Sequence, residues 1–449
     1  MKKLVFMLFL LNTVFLNAQC WSTIYSGGAH TYGVKTDGTI WVTGQNTYGQ
    51  LGIGTNTSQS EFSLFSNANV WSTFSLGEYF SLGIKTDGTL WSWGRNDNGE
   101  LGDSTEISKN SPIQIGTAND WFKISAGRNH CLAIKSNGTL WSWGINNDGQ
   151  LGDGTNVNKN QPLQITDFTN WSFINASYSH SMALRDIGTL WTWGNNTNGK
   201  LGDGTNISKS SPNQIGTESN WSLVYGGINN SIAKKLDGSL YACGAGTGIN
   251  GNGTTNIQFS FSQIGTENNW LDVQYNYFHA LALKNNGTLW AWGYNNSFRL
   301  GDGTNITRLS PVQIGLDNDW QKISTGGAYS IALKSNNSLY TWGFANLGAL
   351  GNGGGAIVTV PTALGTCTLA NENFIKTQIT IYPNPTKTML NINTTTPLLK
   401  TIIYNLLGAK VYEQAFNDSV DVSNLPSGVY VVKFYSEDNV VFVEKIVKE

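Results

Sequence analysis

One eight-residue pattern, clearest at residues 137–144, returns along most of this chain at an almost constant interval. Its first aromatic residue recurs every fifty residues, with one step of forty-nine, at Trp41, Trp91, Trp141, Trp191, Tyr241, Trp290 and Tyr340. A second register lies twenty residues earlier, at Trp21, Trp71, Trp121, Trp171, Trp221, Trp270 and Trp320. Self-similarity at this period predicts a solenoid or a propeller.

Each repeat has the chemistry of short β-strands. Residues 131–135 and 139–143 alternate around a Ser-Asn-Gly turn, which predicts a hairpin. Trp141 and Trp143 then point to the same face, and we expect both rings to be buried. A strand before the hairpin and a Pro-x-x-Ile strand after it bring each unit to about four strands. Seven such units without atypical capping repeats predict an all-β, seven-bladed β-propeller.

Units such as residues 126–152 resemble the regulator of chromosome condensation repeat, and the resemblance covers residues 21–365. It implies a seven-bladed β-propeller. It also suggests guanine-nucleotide exchange on a small GTPase, the activity associated with eukaryotic relatives. Export from the cell and the lack of an insertion like the exchange wedge argue against that activity here. The propeller is predicted to occupy residues 20–366.

Residues 1–19 contain two lysines, then an apolar run from Leu4 to Leu16, and then a short polar segment with Ala18. This order of regions is typical of a secretory signal peptide. Cleavage is expected near Ala18 or Gln19, and lipidation of Cys20 is the rival interpretation. The apolar run is short for a transmembrane helix, so we predict no transmembrane span.

After a linker at residues 367–376, residues 377–449 contain short alternating strands typical of a small immunoglobulin-like β-sandwich. Their motifs resemble the C-terminal sorting domain of type IX (Por) secretion substrates, at Tyr382, Pro383, Asn384, Pro385, Gly408, Gly428 and Tyr430. The resemblance implies the type IX secretion machinery as a partner. It also implies that the mature protein is secreted or attached to the outer cell surface.

The charge pattern argues against nucleic acid as a partner. Charged residues make up 12% of the chain, the net charge is −2, and no basic cluster is visible. Most basic residues recur at one strand-end position, which we interpret as solvated: Lys35, Lys85, Lys135, Arg185, Lys234, Lys284 and Lys334.

Two of the four cysteines lie within the repeats, and two lie just outside them. Cys131 and Cys243 lie within predicted strands and are expected to be buried. Cys20 and Cys367 flank the repeats, whose ends meet in a closed ring, and we predict that they form a disulfide.

No catalytic set and no cofactor site is predicted. His30, His130, His180 and His279 share one repeat position, which elsewhere holds Phe, Asn or Tyr, so blade packing is favoured over metal binding. The aspartates of the Leu-Gly-Asp loops each bring one carboxylate, fewer than a calcium site needs. Turn formation is favoured for this set, Asp103, Asp153, Asp203 and Asp302.

Function is expected where the repeats differ, in loops that carry Tyr and Arg, the residue types enriched at binding hot spots. The candidate binding residues are Tyr79, Arg95, Arg128, Tyr178, Tyr277, Phe278, Tyr294, Tyr329 and Phe344. The leading hypothesis is a non-enzymatic, secreted or surface-displayed scaffold that presents these loops to a protein or glycan. The alternative is an exported polysaccharide hydrolase or lyase, which requires an acid pair that the sequence does not reveal.

Overall fold

The computed structural model describes residues 20–66, 70–246, 249–344, 347–365, 379–394, 398–405, 410–436 and 441–449. The chain forms two compact units, residues 1–370 and 371–449. The predicted signal peptide at residues 1–19, the linker with Cys367, and Gly408 lie outside the described residues.

The first unit contains seven four-stranded antiparallel sheets, each built from one continuous stretch of chain. Blade 1 holds β1 (Trp21–Ser26), β2 (His30–Lys35), β3 (Ile40–Gly44) and β4 (Gln59–Ser66); blade 2 holds β5 (Trp71–Leu76), β6 (Phe80–Lys85), β7 (Leu90–Gly94) and β8 (Lys109–Gln114). Blade 3 holds β9 (Trp121–Ala126), β10 (His130–Lys135), β11 (Leu140–Gly144) and β12 (Lys159–Gln164); blade 4 holds β13 (Trp171–Ala176), β14 (His180–Arg185), β15 (Leu190–Gly194) and β16 (Lys209–Ile215).

Blade 5 holds β17 (Trp221–Gly226), β18 (Asn230–Lys235), β19 (Leu240–Gly244) and β20 (Gln258–Gln263). Blade 6 holds β21 (Trp270–Asn276), β22 (His279–Lys284), β23 (Leu289–Gly293) and β24 (Arg308–Gln313); blade 7 holds β25 (Trp320–Thr325), β26 (Tyr329–Lys334), β27 (Leu339–Gly343) and β28 (Val358–Ala363). These seven sheets confirm the predicted seven-bladed β-propeller.

The ring closes without exchange of a strand between its ends. Each Pro-x-x-Ile strand pairs with the hairpin that precedes it, as β8 pairs with β7. The last and first blades are instead joined by the same backbone hydrogen bond that joins every other pair of neighbouring blades. It runs from the loop after the hairpin of one blade to the outer strand of the next. Gly54 N donates to Asn110 O at 2.9 Å, and Gly353 N donates to Ser60 O across the seam at 2.9 Å. Blade 7 therefore contacts blade 1 as any blade contacts the next.

Apolar residues of neighbouring blades form one core cluster at each interface. Between blades 2 and 3, Phe80 and Leu82 pack with Cys131 and Trp143. Trp143 is fully buried, and its Nε1–H donates to Glu100 O of blade 2 at 2.8 Å. Trp141 is only half-buried, so the expectation that both rings are buried is wrong for Trp141. The two side chains leave the same face of the strand, but only the one nearer the interface is fully covered.

The strand-end cations are not freely solvated, because they lie over aromatic rings. Lys85 Nζ lies 3.6 Å from the ring centroid of Trp91 and 5.2 Å from that of Trp71. In blade 5 this position belongs to Lys235, which stacks on Trp221 and Tyr241, and the sequence assignment to Lys234 was one residue off. Cation–π contacts of this kind contribute roughly 0.5–1 kcal/mol each at exposed sites.

The second unit contains two sheets around one apolar core. One sheet holds β29 (Thr380–Tyr382), β30 (Met389–Asn393) and β33 (Ser419–Asp421); the other holds β31 (Leu398–Asn405), β32 (Lys410–Ala415), β34 (Gly428–Ser436) and β35 (Val441–Lys448). Leu390 and Val420 of the first sheet share a core cluster with Val432 and Ile446 of the second. The two sheets therefore form a small β-sandwich.

Two sorting-motif residues have clear structural roles in this sandwich. The Asn384 side chain donates to Lys445 O and accepts from Val447 N, both at 2.8 Å, which fixes the Tyr-Pro-Asn-Pro segment to β35. The peptide bonds before Pro383 and Pro385 are cis. Tyr430 Oη donates to Pro426 O at 2.8 Å within the Leu-Pro-x-Gly-x-Tyr turn.

Candidate functional site on the turn face of the propeller

Antiparallel strand order gives the propeller two distinct faces. Face A carries the turn between the first and second strands of each blade and the long loop between the third and fourth strands. Face B carries the turn between the second and third strands and the linker to the next blade. The tips of the seven face A turns are Gly28, Glu78, Arg128, Tyr178, Ile228, Tyr277 and Gly327.

A polar channel runs between the first strands of the seven blades. Its cavity of about 580 Å³ is lined by residues of β1, β5, β9, β13, β17, β21 and β25. Ser75 and Ser125 accept hydrogen bonds from Ala126 N and Ala176 N of the next blade, at 2.9 and 2.8 Å. The channel side chains therefore tie the first strands together around the axis.

The predicted binding residues at the turn tips contact one another across several blades. Arg128 Nε lies 2.8 Å from a carboxylate oxygen of Glu78, and its guanidinium carbon lies 4.2 Å from the ring centroid of Tyr178. The rings of Tyr178 and Tyr277 pack edge to face with their centroids 6.1 Å apart. Blades 2, 3, 4 and 6 thus contribute to one cluster, the tip cluster, formed by Glu78, Arg128, Tyr178 and Tyr277.

Tyr277 is the buried member of the tip cluster, with 8% of its surface exposed. Burial raises the pKa of its phenol well above the usual value, and the neighbouring Glu78 carboxylate adds to the rise. Its φ of 50° is in the left-handed region. Such backbone costs about 1–3 kcal/mol for a non-glycine residue and is found disproportionately at functional sites.

Blade 6 extends the tip cluster with more aromatic surface. Phe278 packs against Tyr294 with ring centroids 6.0 Å apart, and the guanidinium carbon of Arg299 lies 5.2 Å from the Phe278 ring. Burial lowers the pKa of Arg299 to about 10, and this side chain donates to Gly327 O. Phe298 has a φ of 57° at a position that holds glycine in the six other blades. Blade 6 therefore has two non-glycine residues, Tyr277 and Phe298, in the left-handed backbone region.

Other predicted residues lie in two further places on face A. The guanidinium of Arg95 is paired with Asp97 at 2.7 Å, and its carbon lies 5.5 and 5.9 Å from the ring centroids of Tyr48 and Tyr79, which pack against each other. Phe344 lines a separate cavity of about 210 Å³ at the seam of blades 7 and 1. These residues share face A with the tip cluster. Among the described residues, the ring of Phe344 makes no aromatic contact with Tyr178 or Tyr277.

The prediction that Tyr329 is an exposed loop residue is wrong. Tyr329 is 1% exposed and wedged between blades 7 and 1, where its Oη donates to His30 O at 2.7 Å. Thr31 Oγ1 in turn donates to Tyr329 Oη at 3.1 Å. Tyr329 occupies the repeat position of the histidines, and it has the same interblade role.

The four histidines each join two neighbouring blades. Each Nε2 lies within 2.7–3.0 Å of a serine Oγ in the next blade, in the pairs His30–Ser81, His130–Ser181, His180–Ser231 and His279–Ser330. Each serine hydroxyl donates to a backbone carbonyl, so the imidazole must supply the proton of the histidine–serine bond. Burial lowers the pKa of His30 and His130 to about 3 and places that of His180 and His279 well below 6.5.

The loop aspartates are saturated by hydrogen-bond donors. Asp153 Oδ1 accepts from Asn146 Nδ2 and from the backbone and hydroxyl of Thr155, and its Oδ2 lies 3.3 Å from Lys159 Nζ. The ammonium group occupies the place that a cation would take. Within the described parts of the chain, no group of three or more His, Cys, Asp or Glu residues could hold a metal ion.

Cys131 and Cys243 are buried free thiols, and burial raises the pKa of both. Cys20 is buried and disulfide-bonded. Because Cys367 lies outside the described residues, its pairing with Cys20 stays a prediction, which an intact-mass measurement without reduction tests.

One feature of face B is not among the predicted site residues. In six blades an Asp or Asn at the turn between the second and third strands accepts the N–H of the residue two positions on. Blade 4 has Ile187 there, 57% exposed, and blade 5 has Leu236 one position earlier in its turn, 73% exposed. The signal was visible as two aliphatic residues in turns that are otherwise polar.

Comparison with known proteins agrees with this architecture. Profiles of the regulator of chromosome condensation (RCC1) repeat match residues 37–84, 87–134, 137–184, 188–233 and 286–333, and a second RCC1 profile matches residues 21–50, 71–100, 123–150, 171–200 and 270–299. The profile of the secretion system C-terminal sorting domain matches residues 380–449. No curated protein sequence matches the chain.

Solved structures show the same fold at low sequence identity. Human WBSCR16 is 21% identical, with a TM-score of 0.65 over 73% of this chain and 94% of its own. Yeast RCC1 (Prp20), solved with Kap60 bound, is 18% identical, with a TM-score of 0.66 over 82% of this chain and 91% of its own.

The sorting domain marks a protein that the type IX secretion system exports and that is secreted or attached to the cell surface. Among the described residues, no helix is long and apolar enough to cross a membrane. The chain belongs to the RCC1 repeat family, and its propeller is followed by a secretion system C-terminal sorting domain.

Proposed function

We propose that this protein is an exported binding scaffold that holds a protein or glycan partner on face A of its propeller. The observation that carries the proposal is the tip cluster, in which Glu78, Arg128, Tyr178 and Tyr277 from four blades contact one another. Tyrosine and arginine on a rigid frame are the residue types enriched at binding hot spots.

Charge balance at the cluster supports a partner without strong net charge. The Arg128 guanidinium is neutralised by Glu78, and that of Arg95 by Asp97. The tip cluster itself therefore presents aromatic surface with oriented polar groups. The strained backbone at Tyr277 adds support, because such strain is more often retained where it serves function than in an ordinary turn.

The test is affinity capture with the mature exported protein as bait, against secreted proteins and a panel of polysaccharides. The test variant carries Arg128→Ala and Tyr178→Ala. The matched control is Phe122→Ala, which removes an exposed aromatic ring at the face B end of β9. We expect that the wild type and the control capture a ligand that the test variant does not capture.

Purified candidates from that capture are then titrated. A loss of at least about tenfold in affinity, equivalent to about 1.4 kcal/mol, is expected for the test variant. Equal affinity of all three proteins would place binding elsewhere and refute a role for the tip cluster. Turnover of a captured polysaccharide by the wild type would show an enzyme instead of a scaffold.

A further inference from the structure

The tip cluster closes the axial channel at face A. Tyr277 of blade 6 packs against Tyr178 of blade 4, and its pKa is raised by burial and by the Glu78 carboxylate of blade 2. Blades that are not neighbours in the ring meet only near its axis. The lining of the channel cavity of about 580 Å³ includes none of the seven turn tips, but it includes Phe122, which is 61% exposed at the face B end of β9. The channel is therefore a cup, the axial cup, that opens towards face B.

Three side chains of neighbouring blades form an arc of hydrogen-bond donors in the axial cup. Ser75, Ser125 and Asn175 hold the same repeat position in blades 2, 3 and 4, and all three line the cavity. Each uses its side-chain oxygen to accept a backbone N–H of the following blade, at 2.8–2.9 Å. Among the described residues, no acceptor is bound by either serine hydroxyl or by the Asn175 amide nitrogen. The arc is thus held in place by its oxygens and has donors left for a ligand.

Lys123 adds a positive charge one level closer to face B. It lies two residues before Ser125 on β9, which places the two residues about 7 Å apart along the strand. Lys123 Nζ donates to Ser172 O, so two of its three ammonium protons remain available. Lys123 is the only cation in the lining, and among the described residues no carboxylate lines the cavity. The charge of Lys123 is therefore not balanced within the axial cup.

An aromatic wall lies beside these polar groups. Phe173 of blade 4 and Tyr225 of blade 5 both line the cavity, and their rings pack edge to face with centroids 5.7 Å apart. Small-molecule sites combine apolar surface of this kind with a few convergent polar groups. A ligand that fits the axial cup therefore carries one negative charge, several oxygen acceptors and an apolar face.

We propose that the axial cup binds a sugar acid of the hexuronate type, in which one carboxylate is attached to a ring with several hydroxyl groups. Lys123 pairs with the carboxylate, the arc donates to hydroxyl oxygens, and the C–H face of the sugar ring packs on Phe173. A neutral sugar leaves Lys123 unpaired, and an anion without hydroxyl groups leaves the arc unused. This inference is independent of the face A proposal, because none of these binding residues belongs to the tip cluster.

Matched probes separate the charge from the hydroxyl groups on the full mature protein. They are galacturonate, glucuronate, the neutral amide of each, and cyclohexanecarboxylate, which has the charge and a ring but no hydroxyl group. Titration followed by saturation-transfer NMR should give at least about tenfold tighter binding of a uronate than of its amide and of cyclohexanecarboxylate. Failure of both uronates to bind, or equal binding of acid and amide, would overturn the proposal.

The source of the sugar acid is read from trigalacturonate. Because the axial cup is closed at face A, a polysaccharide can insert only its terminal unit. Binding of trigalacturonate as tight as that of galacturonate would identify a chain end as the ligand. Binding of the monosaccharides alone would identify a free sugar acid.

Two variants and one control tie binding to the axial cup. Lys123→Thr copies the residue of blades 1 and 2, so it should keep the fold, which circular dichroism checks, and it should remove the preference for acid over amide. Asn175→Asp keeps the oxygen that accepts from Gly226 N but loses the donor, and it should weaken uronate binding at least about tenfold.

The control is Lys322→Thr in blade 7. Lys322 holds the repeat position of Lys123 and donates to the equivalent carbonyl, Ser22 O, but it does not line the cavity. This variant should bind every probe as the wild type does. An unchanged acid preference in Lys123→Thr, or an equal loss of that preference in Lys322→Thr, would overturn the assignment to the axial cup.

Discussion

The four interblade histidines should make the propeller acid-sensitive, and the chain itself supplies the variant that tests this. At the interface of blades 2 and 3, Phe80 and Cys131 occupy the positions that His130 and Ser181 hold one blade later. The double variant His130→Phe with Ser181→Cys therefore copies an interface that this protein already uses.

The direction of the effect follows from burial. The folded-state pKa of His130 is about 3, whereas an unfolded histidine titrates near 6.5. Between these values the unfolded chain binds a proton that the folded chain does not, so stability is complete above pH 6.5 and falls as the pH drops. At about pH 5 the loss is about 2 kcal/mol for each histidine, since one pKa unit corresponds to about 1.4 kcal/mol.

Urea unfolding followed by tryptophan fluorescence measures this loss at a series of pH values. Relative to wild type, the double variant should lose about 2 kcal/mol less between about pH 7.5 and about pH 5. The reverse variant, Phe80→His with Cys131→Ser, should lose about 2 kcal/mol more. An unchanged pH dependence in both variants would mean that the imidazole is protonated in the folded state, which refutes the reasoning.

Three further predictions address the frame, a buried cation and export. Trp143→Ala should cost about 3–5 kcal/mol of unfolding free energy and Trp141→Ala clearly less, since only the first ring is fully buried; equal costs by urea unfolding would contradict the packing. Burial lowers the pKa of Lys200 to about 8, so the folded chain releases this proton earlier than the unfolded one. Relative to Lys200→Met, wild-type stability should accordingly rise as the pH increases from about 8 towards 10.5, and an identical pH dependence of the two proteins would contradict the burial of this ammonium. Deleting residues 377–449 should leave the propeller folded but retained in the periplasm; normal appearance of the truncated chain outside the cell, by immunoblotting, would contradict the sorting assignment.

Local patterns were sufficient to predict the strands and the hairpin of each repeat. The alternation in residues 131–143 and the glycine turn within it depend on a few neighbouring residues, and the structure has a hairpin there. The same holds for the sorting motif, whose Asn384 and Tyr430 bind backbone atoms within their own small sandwich. Alternation does not show how far a ring extends into an interface, which is why Trp141 was predicted to be buried.

The candidate sites depended on contacts that sequence position does not reveal. Tyr329 follows a variable turn, yet its ring enters the blade 7–1 interface because it takes the place of a histidine. Arg128, Tyr178 and Tyr277 were predicted as candidate binding residues in variable loops, whereas Glu78 was not. That Arg128 contacts Tyr178, and Tyr178 contacts Tyr277 two blades away, required the ring to be closed.

The sequence by itself determined the repeat, the number of blades and the sorting domain, because strand alternation, turn residues and motif spacing are properties of short segments. Tertiary structure alone decided which blade each strand joins, which histidine binds which serine fifty-one residues on, and that Ile187 and Leu236 line one cavity. These contacts join residues of different repeats, and their geometry is set only when the blades pack around a common axis.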